Sequence, residues 1–229
     1  MRIYFITKRN MLTAGVLLAL ICCFLGTSML YFNKTGVATP KKAPIYQGST
    51  GKKVIALTVN VDWGEEYIPA MLDAFKKNEA QATFFVTGQW ANKHPDLLKT
   101  MKKAGHSIQN HGYKHLHFDQ LSVAQIQEQV KKAEEIIYKH TGQKPRFFAS
   151  PYGEHSQQLV AAVADLDYEF IMWSVDTIDW RRPAPETITN RVISRVHNDA
   201  IVLMHPTEPT VKALPEMLAQ LKEQGYRMI

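Results

Sequence analysis

Val-Ile-Ala-Leu-Thr-Val-Asn-Val-Asp-Trp-Gly, residues 54–64, is an apolar, β-branched run that ends in polar residues and a glycine. Its first part, Val54–Val59, predicts a buried strand. Asp62 follows this strand at its carboxyl end. Downstream, apolar runs alternate with amphipathic helical stretches about seven times, and this alternation is typical of a parallel α/β fold.

The predicted strands are Val54–Val59, Ala82–Val86, Ser107–Gln109, Arg146–Ala149, Phe170–Trp173, Ala200–Met204 and Tyr226–Ile229. The predicted helices are Glu65–Asn78, Ala91–Ala104, Val123–His140, Ser156–Ala164, Glu186–Val196 and Val211–Gln224. Gly105 and Gly225 each follow a helix and are expected to be C-terminal caps. Ser122 is the expected N-cap of the longest helix.

The positions of the polar residues distinguish between two parallel architectures, a doubly wound open sheet and a (β/α) barrel. Candidate chemical residues follow five different strands: Asp62, His111, Tyr152, Asp176 and His205. An open sheet gathers its site at one switch point, whereas a barrel collects residues from the ends of many strands. The pattern therefore favours a barrel.

The N-terminal part of the chain predicts a membrane segment. No residue from Met11 to Phe32 is charged. This uncharged run is long enough for one helix across a bilayer. Bases in residues 1–10 predict a cytoplasmic N-terminus and a domain on the far side of the membrane. The length of the run favours an anchor that is not cleaved, although cleavage near Ser28, with secretion of the domain, stays open.

Charge and cysteine content limit the remaining classes. Residues 1–45 hold six bases and no acid, which accounts for the whole net charge of +6, so the basic balance does not indicate nucleic-acid binding. Cys22 and Cys23 both lie in the predicted membrane segment, and an exported domain would need no disulfide. Residues 33–53 are polar, contain prolines and glycines, and predict a linker, so the domain is expected over residues 54–229.

A metal site is suggested by His111 and His115, four residues apart, together with the carboxylate of Asp62. Two imidazoles and one carboxylate are a frequent ligand set for a catalytic divalent cation with an open water position. Such a cation activates water, so hydrolysis is the expected chemistry. For Asp62 the alternative is a turn residue before Gly64, and for His205 it is a residue that caps a strand.

Five motifs, in this order, resemble those of the polysaccharide deacetylases of carbohydrate esterase family four, also called the NodB-homology domain. The resemblance covers residues 54–229. The particular residues within the motifs are similar to those of the sporulation-associated branch of bacilli. The motifs are Thr58-Val59-Asn60-Val61-Asp62-Trp63-Gly64, Asn110-His111-Gly112-Tyr113-Lys114-His115, Phe148-Ala149-Ser150-Pro151-Tyr152-Gly153, Asp176-Thr177-Ile178-Asp179-Trp180 and Ile201-Val202-Leu203-Met204-His205.

The resemblance implies a distorted (β/α)7 barrel that uses a divalent metal, zinc first and otherwise cobalt, manganese or iron, to remove N-acetyl groups from glycans. It implies that Asp62, His111 and His115 bind the metal. It also implies that the Tyr152 backbone N–H stabilises the oxyanion and that His205 protonates the leaving amine. Trp180 and Leu203 would be apolar walls for the sugar and the acetyl methyl, with Asp176 and Asp179 close by. Trp63 and Trp173 are expected to be packing residues.

Two positions depart from the family pattern. Asn60 stands where the family has its catalytic base, and Ala149 stands where it has the arginine that orients this base. An amide does not take a proton from water at neutral pH. Three outcomes follow: Asp62 is both ligand and base, Glu65 or Glu66 replaces the base, or the site binds metal and glycan without turnover. Arg146 is expected to point to the other face of its strand.

The sequence thus predicts a membrane-anchored, extracytoplasmic hydrolase that removes N-acetyl groups from peptidoglycan or a chitin-like glycan of the cell wall or spore cortex. Loss of base assistance would slow the reaction by roughly 10²–10⁴-fold. The alternative is a glycan-binding or morphogenetic protein on the same fold that no longer catalyses the reaction. The membrane and the glycan are the expected partners.

Overall fold

The computed structural model describes Ile21, Cys22 and residues 43–229. The predicted membrane segment, residues 11–32, lies outside this range except for Ile21 and Cys22. Among the described residues, no helix is both long enough and apolar enough to cross a membrane. The folded unit includes residues 43–229, and therefore part of the stretch that was predicted to be a linker.

Eight strands and seven α-helices alternate along residues 54–229. The strands are β1 (Val54–Val61), β2 (Thr83–Val86), β3 (Ser107–Asn110), β4 (Phe147–Phe148), β5 (Glu169–Phe170), β6 (Val175–Asp176), β7 (Ile201–Met204) and β8 (Arg227–Met228). The helices are α1 (Ile68–Lys77), α2 (Gly88–Lys93), α3 (Pro95–Lys103), α4 (Val123–Thr141), α5 (Gln157–Ala164), α6 (Pro185–Ile193) and α7 (Glu208–Glu223).

The strands form one parallel sheet in the order β5-β4-β3-β2-β1-β7-β6, with β8 paired to the start of β1. This parallel half-barrel is consistent with the predicted (β/α)7 barrel. β1 lies at its centre, and Leu57 and Val59 are fully buried there. Because every pair is parallel, the carboxyl ends of the strands meet at one edge, where the predicted site residues lie.

Local sequence explains where the helices begin and end. The Ser122 side chain accepts a hydrogen bond from the Gln125 N–H, and the Gln125 side chain binds the Ser122 N–H in return, so the predicted N-cap is a complete capping box. The single helix predicted over Ala91–Ala104 is wrong. His94 separates α2 from α3, because Pro95 has no N–H to donate and disfavours helical geometry in the residue before it.

Residues 43–51 pack onto the domain instead of extending away from it. Ile45 donates its N–H to the Phe170 carbonyl and accepts the Met172 N–H, both at 2.8 Å. Gln47 forms an isolated antiparallel bridge with Ala200. This segment therefore lies along the seam between β5 and the start of β7. Asp199 holds its far end by accepting hydrogen bonds from the Thr50 hydroxyl and the Gly51 N–H.

One glycine is required by a close backbone approach. Gly64, directly after β1, has φ +83°, a conformation that L-residues rarely adopt. A Cβ built at this position would lie 2.3 Å from the Pro206 carbonyl oxygen. The turn after β1 and the turn after β7 are in contact here, so the absence of a side chain at Gly64 brings Asp62 and His205 to the same edge.

Candidate active site

A pocket of about 520 Å³ opens at the carboxyl edge of the sheet. Most of the residues predicted from the sequence line it: Asn60, His111, His115, Tyr152, Asp176, Trp180, Leu203 and His205. Trp63, Gly153 and Trp173 line it as well and were not predicted as site residues. Trp63 directly follows Asp62, so its position in the first motif could have indicated that it lines the pocket. Asp62, Asp179, Glu65 and Glu66 are not among the lining residues.

His111 and His115 form a pair whose ring centroids are 5.3 Å apart. His111 follows β3 and is 1% exposed, and its Nδ1 lies 2.7 Å from the Ala149 carbonyl oxygen. A carbonyl oxygen only accepts, so the proton is assigned to Nδ1 and the Nε2 lone pair is free. Burial lowers the pKa of His111 to about 3. Desolvation also lowers the pKa of His115. Both imidazoles are therefore in the neutral form that binds metals.

Asp62 does not complete a metal site in this structure. Its Oδ1 accepts a 2.7 Å hydrogen bond from the Thr87 hydroxyl at the end of β2. Its charge acts to raise the pKa of His115, but desolvation outweighs that effect. Among the described residues, no group of three or more His, Cys, Asp or Glu side chains is placed to hold a metal ion. The two imidazoles thus have the donor chemistry for a divalent cation, and Asp62, held by Thr87, would need to turn towards them to be a third ligand.

Asn60 and Ala149 occupy the two positions that depart from the family pattern. Asn60 lines the pocket, is 7% exposed, and its Oδ1 has no hydrogen-bond partner within the described residues. Ala149 is 3% exposed and packs in an apolar cluster with Phe85, Ile171 and Ile201. The position of the arginine is therefore filled by hydrocarbon, and the position of the base presents an amide to the pocket.

The two glutamates after Gly64 do not replace this base. The Glu65 carboxylate lies 3.8 Å from His94 Nε2, outside the pocket. A backbone hydrogen bond lowers the pKa of Glu65, which makes it a weaker base. Helix α1 begins at Ile68, so both glutamates lie in the turn that precedes it. Arg146 is exposed and does not line the pocket, in agreement with its predicted direction.

His205 is held by a buried carboxylate that the sequence motif alone did not pair with it. Asp179, 0% exposed, accepts hydrogen bonds from His205 Nδ1 at 2.8 Å and from the His205 backbone N–H at 2.6 Å. It also accepts the Thr210 hydroxyl at 2.7 Å. The carboxylate therefore fixes the orientation of the imidazole at the pocket wall, as an acid that must reach a leaving group requires.

Tyr152 lines the pocket in a left-handed conformation, with φ 58° and ψ 5°. Its ring stacks on His117 at 4.0 Å and meets the edge of His115 at 4.5 Å. Glu154 in turn accepts from His117 Nδ1 at 2.7 Å. Within the described part of the chain no backbone acceptor is recorded for the Tyr152 N–H, so this group is available to an incoming oxygen.

Aromatic side chains surround the entrance. Trp180 is 52% exposed and Trp63 is 39% exposed, whereas Leu203 is nearly buried in the wall. The Trp63 ring lies parallel to the His205 ring within 6°, with centroids 6.4 Å apart. Flat aromatic faces at the rim and an apolar wall with few polar groups inside are the chemistry of a site for a small, partly apolar ligand.

Residues 47–171 match the family model described as polysaccharide deacetylase, and the chain belongs to this family. It is 40% identical to the uncharacterized protein YlxY of Bacillus subtilis over 81% of its own length and 58% of that protein. It is 32% identical to a peptidoglycan-N-acetylglucosamine deacetylase of Bacillus cereus, over 82% of this chain and 70% of that protein.

Solved structures of the family superpose on the same domain. A CE4 family pseudoenzyme from Bacillus anthracis matches with a TM-score of 0.79 and 43% identity, over 82% of this chain and 66% of that chain. A mutant of the same pseudoenzyme is described as having restored enzymatic activity, with 41% identity and the same TM-score. A peptidoglycan N-acetylglucosamine deacetylase, Bc1960, matches with a TM-score of 0.79 and 32% identity, over 82% of this chain and 91% of that chain.

Proposed function

We propose that this chain binds N-acetylated glycan strands of peptidoglycan in the pocket and removes their acetyl groups slowly. The buried, unpartnered amide oxygen of Asn60 carries this proposal. A buried polar group without a partner is unfavourable until a ligand satisfies it. The N–H of an acetamide is a matching donor for this oxygen, so Asn60 favours binding of the substrate but provides no base for its hydrolysis.

The rest of the pocket suits a sugar that carries an acetamide. The exposed face of Trp180 stacks against the sugar ring, and Leu203 contacts the acetyl methyl. Relatives that share about a third of their residues with this chain are named as peptidoglycan deacetylases, which supports peptidoglycan as the glycan class. A chitin-like oligomer has the same N-acetyl group and is the simplest probe.

Amide hydrolysis needs an activated water, a donor for the oxyanion and an acid for the amine. His205, held by Asp179, protonates the departing nitrogen, and the Tyr152 N–H binds the oxyanion. Deacetylases of this family are generally metal-dependent. His111 and His115 would hold the cation, zinc first and otherwise cobalt, manganese or iron, with Asp62 as the proposed third ligand. When bound, such a cation supplies Lewis acidity to the acetamide and its water.

The test measures binding and turnover separately on the full chain. N-acetylglucosamine oligomers and wall fragments are incubated with the protein, with and without chelator, and acetate is quantified. We expect slow, chelator-sensitive acetate release that His205→Ala abolishes while binding is retained. Trp180→Ala should weaken binding about two- to tenfold, as loss of one stacking residue does. Tyr138→Ala removes an equally exposed aromatic from α4 and should change neither readout.

A second candidate is glycan binding without turnover. The apolar packing of Ala149 favours it, because the orienting arginine has no equivalent in the pocket. The similarity to the Bacillus anthracis pseudoenzyme points the same way. This candidate predicts background acetate in both arms of the assay together with binding that Trp180→Ala weakens. Absence of binding by any glycan would exclude both candidates.

We also propose that residues 11–32 anchor the chain and that residues 54–229 act outside the cytoplasm, on the cell wall or the spore cortex. The uncharged run and the preceding bases support this orientation. Protease treatment of intact protoplasts should remove the domain and leave a short membrane-bound fragment. Full protection of the domain would refute the orientation, and its recovery in the medium would show that the anchor is cleaved.

A further inference from the structure

The short turn Asp179–Arg181 presents two arginines beside the pocket. Arg181 and Arg182 follow Trp180, which itself lines the pocket, and all three side chains are exposed. The Arg181 guanidinium lies 4.8 Å from the centre of the Trp180 ring. A positive surface therefore adjoins the aromatic face on which we place the sugar.

The two guanidiniums have no carboxylate partner. Within residues 43–229, no acidic oxygen lies within 4.0 Å of either one. The nearby acids form their short contacts with other groups: Glu208 pairs with Lys212 at 2.7 Å and interacts with Arg182 only at longer range, and Asp176 accepts the Ile178 N–H at 2.8 Å. By contrast, the neighbouring Arg191 is anchored through Nε to the Asp176 carbonyl oxygen. Arg181 and Arg182 are thus available to an external anion.

The backbone that carries them is strained. Ile178 has φ 55° and Arg182 has φ 53°. Left-handed geometry is costly for any residue with a side chain and is a clear outlier for a β-branched one. These two residues flank the turn. Between them, Trp180 is exposed and lies next to the positive charge of the arginines. Strain that persists at the rim of a pocket is a reason to look for a ligand there.

We propose that Arg181 and Arg182 bind a carboxylate on the sugar next to the acetylated one, so that the site prefers glycans that contain N-acetylmuramic acid over neutral chitin-like glycans. This inference rests on the proposed function and specifies its substrate class. A guanidinium matches a carboxylate with two parallel hydrogen bonds. The lactyl group of muramic acid supplies that carboxylate, and N-acetylglucosamine lacks it.

The test compares three probes that share one tetrasaccharide backbone. They are chitotetraose, the alternating N-acetylglucosamine–N-acetylmuramic acid tetrasaccharide without peptide, and the same tetrasaccharide with its lactyl carboxylates converted to amides. Affinities for the full chain are measured by calorimetry. We expect the acidic probe to bind about three- to tenfold more tightly than the other two, as exposed ion pairs allow. The advantage should disappear between about 0.01 M and about 1 M salt as screening increases.

The double variant R181Q/R182Q should lose this preference and keep the affinity for chitotetraose. The control R195Q/R227Q removes two exposed arginines at the opposite edge of the sheet and should keep the preference. Since Arg181 contacts Trp180, the single variant Arg182→Gln is also measured. It leaves that contact in place and should still reduce the preference. If all probes bind the wild-type chain equally, or if the preference survives in R181Q/R182Q, this inference is wrong while the proposed function stands. If no probe binds, both fail.

Discussion

Replacement of the buried Asp179 by asparagine should destabilise the domain strongly. The carboxylate accepts three hydrogen bonds, two of them from His205 and one from Thr210. Hydrogen bonds to a charged group contribute about 1.5–3 kcal/mol each, and those between neutral groups about 0.5–1.5 kcal/mol. The amide oxygen can take the place of Oδ2, but the amide nitrogen then faces His205 Nδ1, which must accept instead of donate.

The summed loss over three weakened bonds is about 3 kcal/mol. For a domain of this size, that corresponds to a fall in Tm of roughly 6–12 °C. Thermal unfolding followed by circular dichroism measures it. Thr210→Val removes one of the three donors and should cost about 1–2 kcal/mol. Because the two residues share a bond, the double variant should lose less than the sum of the single variants.

Asp165→Asn is the matched control, since Asp165 is exposed at the end of α5. It should change the free energy of unfolding by less than about 0.5 kcal/mol. If Asp179→Asn melts at the same temperature as this control, the carboxylate does not hold His205 and Thr210 as described. In that case the role of His205 as an oriented acid loses its structural basis.

Three further predictions concern the base position, a buried histidine and the turn after β1. Asn60→Asp combined with Ala149→Arg should raise acetate release more than the two single changes do together, and additive or absent effects would contradict the proposed pairing of these positions. Burial lowers the pKa of His106 below the ordinary value of 6.5, so its contribution to stability is complete above that pH and is lost as the pH falls towards the folded-state pKa. His106→Asn should therefore show a smaller fall in urea midpoint between about pH 7.5 and pH 5.5 than the wild type, and an equal fall would exclude this role. Gly64→Ala should cost about 3 kcal/mol or more, because the added methyl meets a carbonyl oxygen, and a normal Tm would show that the two turns are not in contact.

The sequence predicted seven of the eight strands and most of the helices because their patterns are local. Ser122 and the apolar spacing of α4 are readable without any tertiary contact. β6 was missed because Val175 and Asp176 lie between Ser174 and Thr177, so no apolar run marks this strand. Its place in the sheet comes from pairing with β7, which no local pattern reveals.

The sequence could predict those site residues that directly follow strands, because the carboxyl ends of parallel strands meet at one edge of the sheet. His111, His115 and His205 line one pocket because their strands are parallel and end at one edge. The direction of Asp62 was not predictable, since its partner Thr87 is 25 residues away and follows another strand as the N-cap of α2. The link between Asp179 and His205 is likewise a tertiary contact across 26 residues.

The segment around Ile45 gives the domain a mechanical weak point. A load carried by the chain before residue 43 would reach the fold first at the two backbone hydrogen bonds of Ile45. When they open, β5 loses the cover that Ile45 provides, and Ile45 leaves an apolar cluster against which Trp173, a pocket-lining residue, also packs. Tension on the proposed anchor and occupancy of the pocket by the proposed glycan would then oppose each other, so a bound glycan should raise the force needed to detach this segment.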